Sequence, residues 1–188
     1  MTNIKTDFVL DAKGLACPMP IVKTKKAING LEAGQVLEVL ATDKGSKADM
    51  KAWAESTGHQ YIGTTEEGDI LKHYIRKASS DEEKSVNSFA NVVSNEDLER
   101  NLSGKITILD VREAAEYAFG HIPNAVSIPL GELEDRFSEI NGDLEIYVIC
   151  RTGNRSDMAA SKLAEKGFTK VFNVVPGMSG WNGPTTTN

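Results

Sequence analysis

The chain contains few cysteines, and only Cys17 and Cys150 occur in its 188 residues. A secreted protein built around disulfides would carry more cysteines at closer spacing, so that class is excluded. Two distant cysteines and three scattered histidines cannot supply the four nearby ligands of a structural zinc site. We therefore expect no metal and no cofactor, and each cysteine must be interpreted from its own neighbours.

Long hydrophobic runs and an excess of positive charge are also missing. No apolar stretch approaches the ~18 residues that a membrane-spanning helix needs, and the first residues lack the basic-then-apolar layout of a secretory signal. The formal net charge of −6 argues against direct binding of nucleic acid or of anionic membranes. Hydrophobic residues make up 40% of the chain, which is enough for a buried core. We expect a globular protein of the cytoplasm.

A polar segment separates two regions with regular hydrophobic patterns. Residues 79–88 are almost free of apolar side chains, as is typical of a linker. The charge balance differs on its two sides, since residues 1–78 are close to neutral and residues 92–188 are acidic. The sequence therefore predicts two domains, residues 1–78 and 91–188, joined by a linker that occupies residues 79–90.

The first region has the pattern of a small sheet covered by helices. Hydrophobic spacing and turn residues predict strands at residues 8–10, 35–41, 59–65 and 69–76, and helices at residues 18–29 and 46–57. Ser46 is the expected N-cap of the second helix, which Gly58 would end. The order β-α-β-α-β-β predicts an α+β two-layer sandwich with both helices on one face of the sheet.

The second region alternates strands and helices. Strands are predicted at residues 106–111, 125–128, 145–149 and 170–174, and helices at residues 114–117, 130–140 and 156–166. This alternation predicts an α/β domain whose parallel sheet lies between helices. Residues 184–188 are expected to fray.

Cys150 follows a predicted buried strand and precedes a short polar loop and a helix. Ligands bind beyond the carboxyl ends of strands in open parallel sheets, and N–H groups at a helix N-terminus attract anions. Glycine and asparagine in the loop suit a tight backbone, and two arginines add positive charge. The pattern favours a reactive thiolate or persulfide over a buried structural cysteine. The predicted anion-binding residues are Arg151, Thr152, Gly153, Asn154, Arg155 and Ser156.

The segment from Cys150 to Ser156 resembles the active-site loop of the rhodanese family, whose single-domain members often carry Cys-Arg-x-Gly-x-Arg-Ser. Residues 109–113, 120–125 and 177–181 are similar to further features of that family, in the same order. Pro176 departs from the pattern, since many members have glycine there, but it lies away from the nucleophile loop. The resemblance covers about residues 91–184. It implies a rhodanese-like fold and transfer of sulfane sulfur through a persulfide on Cys150.

A cysteine phosphatase is the rival interpretation of this loop. Phosphatases need Cys-x5-Arg to enclose a phosphoryl group, whereas Arg155 follows Cys150 after only four residues. The shorter loop favours a sulfur atom. Asp110 and Arg112 are expected to form a supporting ion pair rather than to transfer protons. His121 is expected to be structural, because an attacking thiolate needs no general base.

Cys17 immediately precedes the first predicted helix, in the segment Cys-Pro-Met-Pro. Proline is accepted in the first turn of a helix, so Pro18 and Pro20 would place Cys17 at or next to the N-cap. There the positive end of the helix dipole would stabilise a thiolate or persulfide. The alternative is a capping cysteine that only packs.

This segment resembles the TusA/SirA-like sulfur-carrier family, whose signature is Cys-Pro-x-Pro after Asp-x-x-Gly-Leu. The preceding element is present here as Asp11, Gly14 and Leu15. The match covers about residues 7–78 and implies that Cys17 carries a persulfide. Such carriers deliver sulfur to tRNA thiolation, molybdenum-cofactor or sulfur-oxidation pathways.

The two cysteines together suggest a sulfur relay. A sulfane donor, such as thiosulfate or a small or protein persulfide, would load Cys150, and Cys17 or an external thiol would remove the sulfur. The expected partners are a sulfane donor and a thiol acceptor, either of which could be a protein. One alternative is a non-catalytic adaptor that delivers sulfur or senses persulfide. Another is a redox switch in which the two cysteines form a disulfide, although neither loop carries a nearby resolving cysteine.

Overall fold

The computed structural model of the protein describes residues 3–78 and 89–187. These residues form two compact units, one on each side of residues 79–88. The predicted combination of an α+β and an α/β unit is confirmed. Most of the predicted linker lies outside the described residues, but Phe89 packs against the core of the second unit and its N–H donates to Oδ1 of Asp157 at 2.9 Å.

The first unit is a four-stranded sheet with two helices. Its elements are β1 (Phe8–Asp11), α1 (Met19–Asn29), β2 (Val36–Ala41), α2 (Ser46–Thr57), β3 (Gln60–Glu67) and β4 (Ile70–Arg76). The strand order is β1-β2-β4-β3, with β1 parallel to β2 and the other pairs antiparallel. Leu37 and Val39 of β2 pack with Ile28 of α1 and Met50 of α2 in one core. Because alternate strand residues share a face, both helices lie on the same side of the sheet, as predicted.

Ser46 is not the N-cap that the sequence predicts. Gly45 occupies the N-cap position, and the Ser46 Oγ atom lies 2.9 Å from Nε2 of His73 instead. Nδ1 of the same ring lies 2.9 Å from the Thr64 hydroxyl. The fully buried imidazole needs partners on both nitrogens, and leaving it unpaired would cost more than leaving a helix end uncapped. Burial first, and the charge of Lys47 second, lower the pKa of His73 from 6.5 to about 4.

We expect the first unit to lose stability as the pH falls from 6.5 toward 4. Unfolded His73 takes up a proton in this window whereas folded His73 does not, so the free energy of unfolding should fall by about 3 kcal/mol. The difference in unfolding free energy between wild type and His73→Gln should therefore change by that amount across the window. Urea unfolding followed by Trp53 fluorescence, in a Trp181→Phe background, measures it.

The control for this titration is His59→Gln. Burial and then the charge of Lys77 also lower the pKa of His59, but this side chain is partly exposed, so its substitution should alter the pH dependence less. Wild-type and His73→Gln stabilities that fall in parallel from pH 6.5 to 4 would refute the assignment.

The second unit is a five-stranded parallel sheet with helices on both faces. Its elements are β5 (Val92–Ser94), α3 (Asn95–Asn101), β6 (Ile106–Asp110), α4 (Ala114–Phe119), β7 (Val126–Ser127), β8 (Glu145–Ile149), α5 (Asn154–Lys166) and β9 (Val171–Val175). The strand order is β5-β9-β8-β6-β7. Along β8, Ile146 and Val148 enter one core with Leu163 of α5, while Ile149 enters the other with Leu98 of α3. The predicted sheet between layers of helices is confirmed.

The segment predicted as a helix at residues 130–140 is different in the structure. It forms two 3₁₀ helices, Leu130–Asp135 and Phe137–Glu139. Glycine has a low helix propensity, so Gly131 disfavours an α-helix at the beginning of this segment. The backbone of Arg136 has a φ of −123°, which lies outside the helical region. Leu133 and Ile140 are buried in the core, but the intervening backbone does not continue as one α-helix.

Two further features depart from the sequence prediction. β5 and α3 were not predicted, although Ser94 and Asp97 form a capping box that opens α3. The C-terminal residues do not simply fray, because Thr186 and His121 exchange two backbone hydrogen bonds of 2.9 and 2.8 Å. No helix in the described part of the chain is long and apolar enough to cross a membrane.

Candidate functional site

The carboxyl ends of four strands of the second unit surround Cys150. Cys150 directly follows β8, Asp110 ends β6, Gly177 comes two residues after β9, and Asn95 directly follows β5. Parallel strands place these ends along the same edge of the sheet, where ligands bind in open α/β sheets. Cys150 is only 1% exposed, so the sulfur lies at the base of this edge rather than on the surface.

The sulfur of Cys150 contacts the loop and the start of α5. The Gly153 N–H donates to Sγ at 3.1 Å, and Sγ donates to the Ser156 Oγ atom at 3.3 Å. Ser156 itself donates to Oδ1 of Asn173 at 2.6 Å. Because α5 begins at Asn154, these contacts lie at its N-terminus. A backbone N–H and the positive end of a helix dipole suit an anionic sulfur, so the arrangement is able to hold a thiolate or a persulfide.

The shape of this loop depends on a glycine and a buried amide. Gly153 has a φ of +99°, and a Cβ atom there would lie 2.9 Å from Cγ1 of Val175. Nδ2 of Asn173 donates to the carbonyl of Gly153 at 3.3 Å. Asn173 was missed by the sequence analysis, although a buried polar residue inside the apolar strand β9 is a signal that could have found it.

A second turn, after β9, supports the backbone of Cys150. The N–H groups of Met178 and Ser179 donate to the carbonyls of Cys150 and Arg151 at 2.8 and 2.9 Å. The buried Asn95 amide holds Gly177 from both sides, donating to its carbonyl at 2.9 Å and accepting from its N–H at 3.1 Å. Asn95 was also missed, because its connection to Cys150 runs through a turn that is distant in the sequence.

Arg155, which the sequence predicts to bind the anion, forms a buried ion pair in the structure. Arg155 is 5% exposed, and its two terminal nitrogens donate to the Glu116 carboxylate at 2.7 and 2.9 Å. Its positive charge is thus balanced by a buried carboxylate instead of being available to the sulfur alone. Arg151 and Thr152, which belong to the loop itself, are exposed, and Asn154 is partly exposed.

Asp110 and Arg112 form the ion pair that the sequence predicts. Nη2 of Arg112 lies 2.7 Å from Oδ2 of Asp110 and 2.8 Å from the carbonyl of Gly120, and both side chains are buried. His121 is buried as well, with Nδ1 2.8 Å from the carbonyl of Tyr117 and its ring stacked on the Tyr117 ring. These contacts are structural, since they join β6 to the turn that follows α4.

Cys17 differs from Cys150 in both exposure and partner. Cys17 is exposed, and Pro18 rather than Cys17 is the N-cap of α1, with Pro20 buried in the first turn. Cys17 Sγ donates to Oδ2 of Asp49 on α2 at 3.2 Å. This hydrogen bond first, then desolvation and the negative charges of Asp49 and Asp43, raise the pKa of the Cys17 thiol. The sequence predicts a stabilised thiolate or persulfide at this helix start, whereas the contact with Asp49 favours the protonated thiol.

Within the described residues, no group of three or more His, Cys, Asp or Glu side chains is placed to hold a metal ion. Each of the two candidate sites contains a cysteine sulfur that takes part in a hydrogen bond. The two cysteines belong to different units, Cys17 to the first and Cys150 to the second.

Comparison with known proteins matches a family to each unit. The family model "Sulfurtransferase TusA" matches residues 8–77, and the model "Rhodanese-like domain" matches residues 94–184. The "Putative sulfur carrier protein YrkF" of Bacillus subtilis is 54% identical over 190 residues, which cover 97% of this chain and 99% of that protein.

Two further relatives each correspond to a part of the chain. The sulfur carrier protein TusA of Allochromatium vinosum is 46% identical over 72 residues, which cover 38% of this chain and 95% of that protein. A crystal structure of a rhodanese-related protein from Thermoplasma volcanium has a TM-score of 0.50 and 32% identity, and the match covers 53% of this chain and 100% of that chain.

Proposed function

This chain belongs to the sulfur carrier proteins in which a TusA domain is followed by a rhodanese-like domain, and we propose that it receives sulfane sulfur on Cys150 and passes it on through Cys17 or an external thiol. Its two domains support sulfurtransferase-type activity in general. The proposed donors are thiosulfate and small or protein persulfides. The observation that carries the proposal is the buried Cys150 sulfur, which accepts the Gly153 N–H at the N-terminus of α5.

Loading of Cys150 is an attack by its sulfur on the sulfane sulfur of the donor. A new S–S bond forms at Cys150 as the donor's bond to that sulfur breaks, and sulfite or a thiol leaves. The persulfide keeps a negative charge on its outer sulfur. The Gly153 N–H and the N-terminus of α5 are the groups that would stabilise it, and Arg151 and Thr152 of the same loop are exposed.

Unloading reverses this chemistry with a different thiol. The Cys17 sulfur, or an external thiol such as glutathione, attacks the outer sulfur, and Cys150 leaves as a thiolate. The N–H of Gly153 again faces the sulfur that gains charge. Ser156 and Asn173 hold the loop in place during both steps, since they connect Sγ to the backbone of Gly153.

Persulfide mapping of the full chain tests this proposal. After treatment with thiosulfate, we expect one added sulfur atom on the Cys150 peptide and, in part, on the Cys17 peptide. Cys150→Ser should lose loading of both cysteines from thiosulfate, while Cys17→Ser should still load Cys150. Peptide-level mass spectrometry measures this. A wild-type chain that gains sulfur on neither cysteine from any sulfane donor would end the proposal. Unchanged loading of Cys17 in Cys150→Ser would end the transfer between the two cysteines.

A second candidate is a non-catalytic adaptor that delivers sulfur or senses persulfide. The observation that favours it is the exposed Cys17 with its hydrogen-bonded thiol, which suits a stoichiometric carrier better than a fast nucleophile. Stoichiometric loading from a protein persulfide, combined with very slow turnover toward glutathione or cyanide, would favour the adaptor over the enzyme.

A further inference from the structure

The neighbours of Cys17 are negative rather than positive. Cys17 Sγ donates to Asp49 of α2 at 3.2 Å, and Asp43, on the loop before α2, lines the same small depression. The first turn of α1 contains no acidic residue, so the two aspartates that act on the sulfur come from the neighbouring segment. The rest of the depression is formed by Pro18, Pro20, Ile21 and Ser46.

An aspartate in this place has two chemical consequences. It accepts the S–H hydrogen bond and favours the protonated thiol, which is a weak nucleophile. Its charge also repels a small anionic donor, such as thiosulfate, that approaches the sulfur. A donor with a positive charge beside its sulfane sulfur would instead be attracted, and that charge would weaken the hold of Asp49 on the proton.

We propose that Asp49 is a positioning residue that holds Cys17 as a thiol when Cys17 carries no transferred sulfur. Cys17 then accepts sulfur from persulfides that have a positively charged group beside the sulfur, and not directly from small anionic donors. This inference rests on the proposed role of Cys17 as a sulfur acceptor. On this inference the exposed Cys17 reacts little with unselective electrophiles, and anionic donors require the second cysteine.

The transfer step balances without any further reagent. The sulfur of Cys17 attacks the outer sulfur of a donor R–S–S⁻, a Cys17 S–S bond forms, and the donor S–S bond breaks. The thiol proton, released from its hydrogen bond to Asp49, ends on the departing R–S⁻, which leaves as R–SH. The persulfide on Cys17 then carries a negative charge near Asp49 and Asp43, and this repulsion favours onward transfer to an acceptor.

Substitution of Asp49 in the full-length chain tests the inference. Asp49→Asn keeps the size and a hydrogen-bond acceptor but removes the charge. The pH profile for alkylation of Cys17 by neutral iodoacetamide should move to lower pH, with a rate increase of about threefold to tenfold at pH 7.5. Asp49→Glu should stay close to wild type. Glu55→Gln, on the same helix but without a contact to Cys17, is the charge-matched control and should leave the profile unchanged.

Donor selectivity provides the second measurement. Sulfur loading of Cys17 is compared, in a Cys150→Ser background, for cysteamine persulfide, which carries an ammonium group, and mercaptopropionate persulfide, which carries a carboxylate and is similar in size. The chain with Asp49 should prefer the donor with the ammonium group by about threefold to tenfold at low ionic strength, and added salt should reduce that preference. Asp49→Asn should lose most of it, whereas Glu55→Gln should retain it.

The outcomes separate this inference from the proposed function. If Asp49→Asn and wild type share one alkylation profile and one donor preference while Cys17 still takes up sulfur, the inference is wrong and the carrier role stands. If wild-type Cys17 takes up sulfur from neither donor, the carrier role itself fails and the inference falls with it. Trp53 fluorescence of each variant checks that the first unit remains folded.

Discussion

Alanine at position 177 should destabilise the second unit by about 4 kcal/mol and abolish sulfur loading of Cys150. Gly177 has a φ of +91°, and a Cβ atom there would lie 2.4 Å from the carbonyl oxygen of Cys150. This contact is with backbone, so no flexible side chain is available to move away. Relief would require the turn after β9 to separate from the loop, which would break the hydrogen bond from Met178 to Cys150.

Urea unfolding and persulfide mapping of Gly177→Ala measure the two effects. Trp181 fluorescence in a Trp53→Phe background reports on the second unit alone. Gly131→Ala is the matched control, because a Cβ atom at that position would meet nothing within 4 Å. It should change the stability by less than about 1 kcal/mol and should preserve loading. A Gly177→Ala chain with wild-type stability and wild-type Cys150 loading would show that this close approach is not needed.

Replacement of Glu116 by glutamine should be comparably damaging, at about 3–5 kcal/mol. The change removes the negative partner of Arg155 and leaves a guanidinium group that is 5% exposed next to a neutral amide. Because Arg155 lies in the first turn of α5, the loop that holds the Cys150 sulfur should become disordered as well. Glu165→Gln, which alters an exposed residue near the other end of α5, should have little effect.

A double variant, Glu116→Leu with Arg155→Met, separates structure from chemistry. Replacing both members of a buried ion pair by apolar side chains is often close to neutral for stability. If this variant is stable and loads Cys150 normally, the charge of Arg155 acts only through Glu116. If it is stable but fails to load, Arg155 contributes to sulfur binding, as the sequence analysis predicts. Wild-type stability for Glu116→Gln alone would contradict the importance of the pair.

Most of the fold could be predicted from local sequence patterns. After Glu145, the strand β8 consists of four consecutive buried residues, Ile-Tyr-Val-Ile. Gly58 and Gly167 end their helices in left-handed conformations, as glycines at these positions usually do. The errors occurred where the local sequence pattern was weak, or where a tertiary contact competed with it. Residues 130–140 have a helical hydrophobic spacing but form no continuous α-helix. The Ser46 hydroxyl contacts the buried His73 instead of capping its helix.

The candidate site was predicted in its location but not in all its contacts. Cys150, Gly153 and Ser156 are brought together as expected, because they belong to one strand-loop-helix segment. Asn95 and Asn173 were overlooked, since the first reaches the site through the turn at Gly177 and the second through a neighbouring strand. Such residues become visible only when the strand order is known.

The sequence by itself determined that each cysteine lies next to the start of a helix, since apolar strands, helix-starting prolines and loop glycines are local signals. Only the tertiary structure decided the charge around each sulfur. Glu116 is 39 positions from Arg155, and Asp49 is 32 positions from Cys17. Electrostatic interactions depend on distance in space, so a sequence shows that a charge exists but not which group it faces. For this reason the environment of Cys17 proved negative although its helix start suggested the opposite.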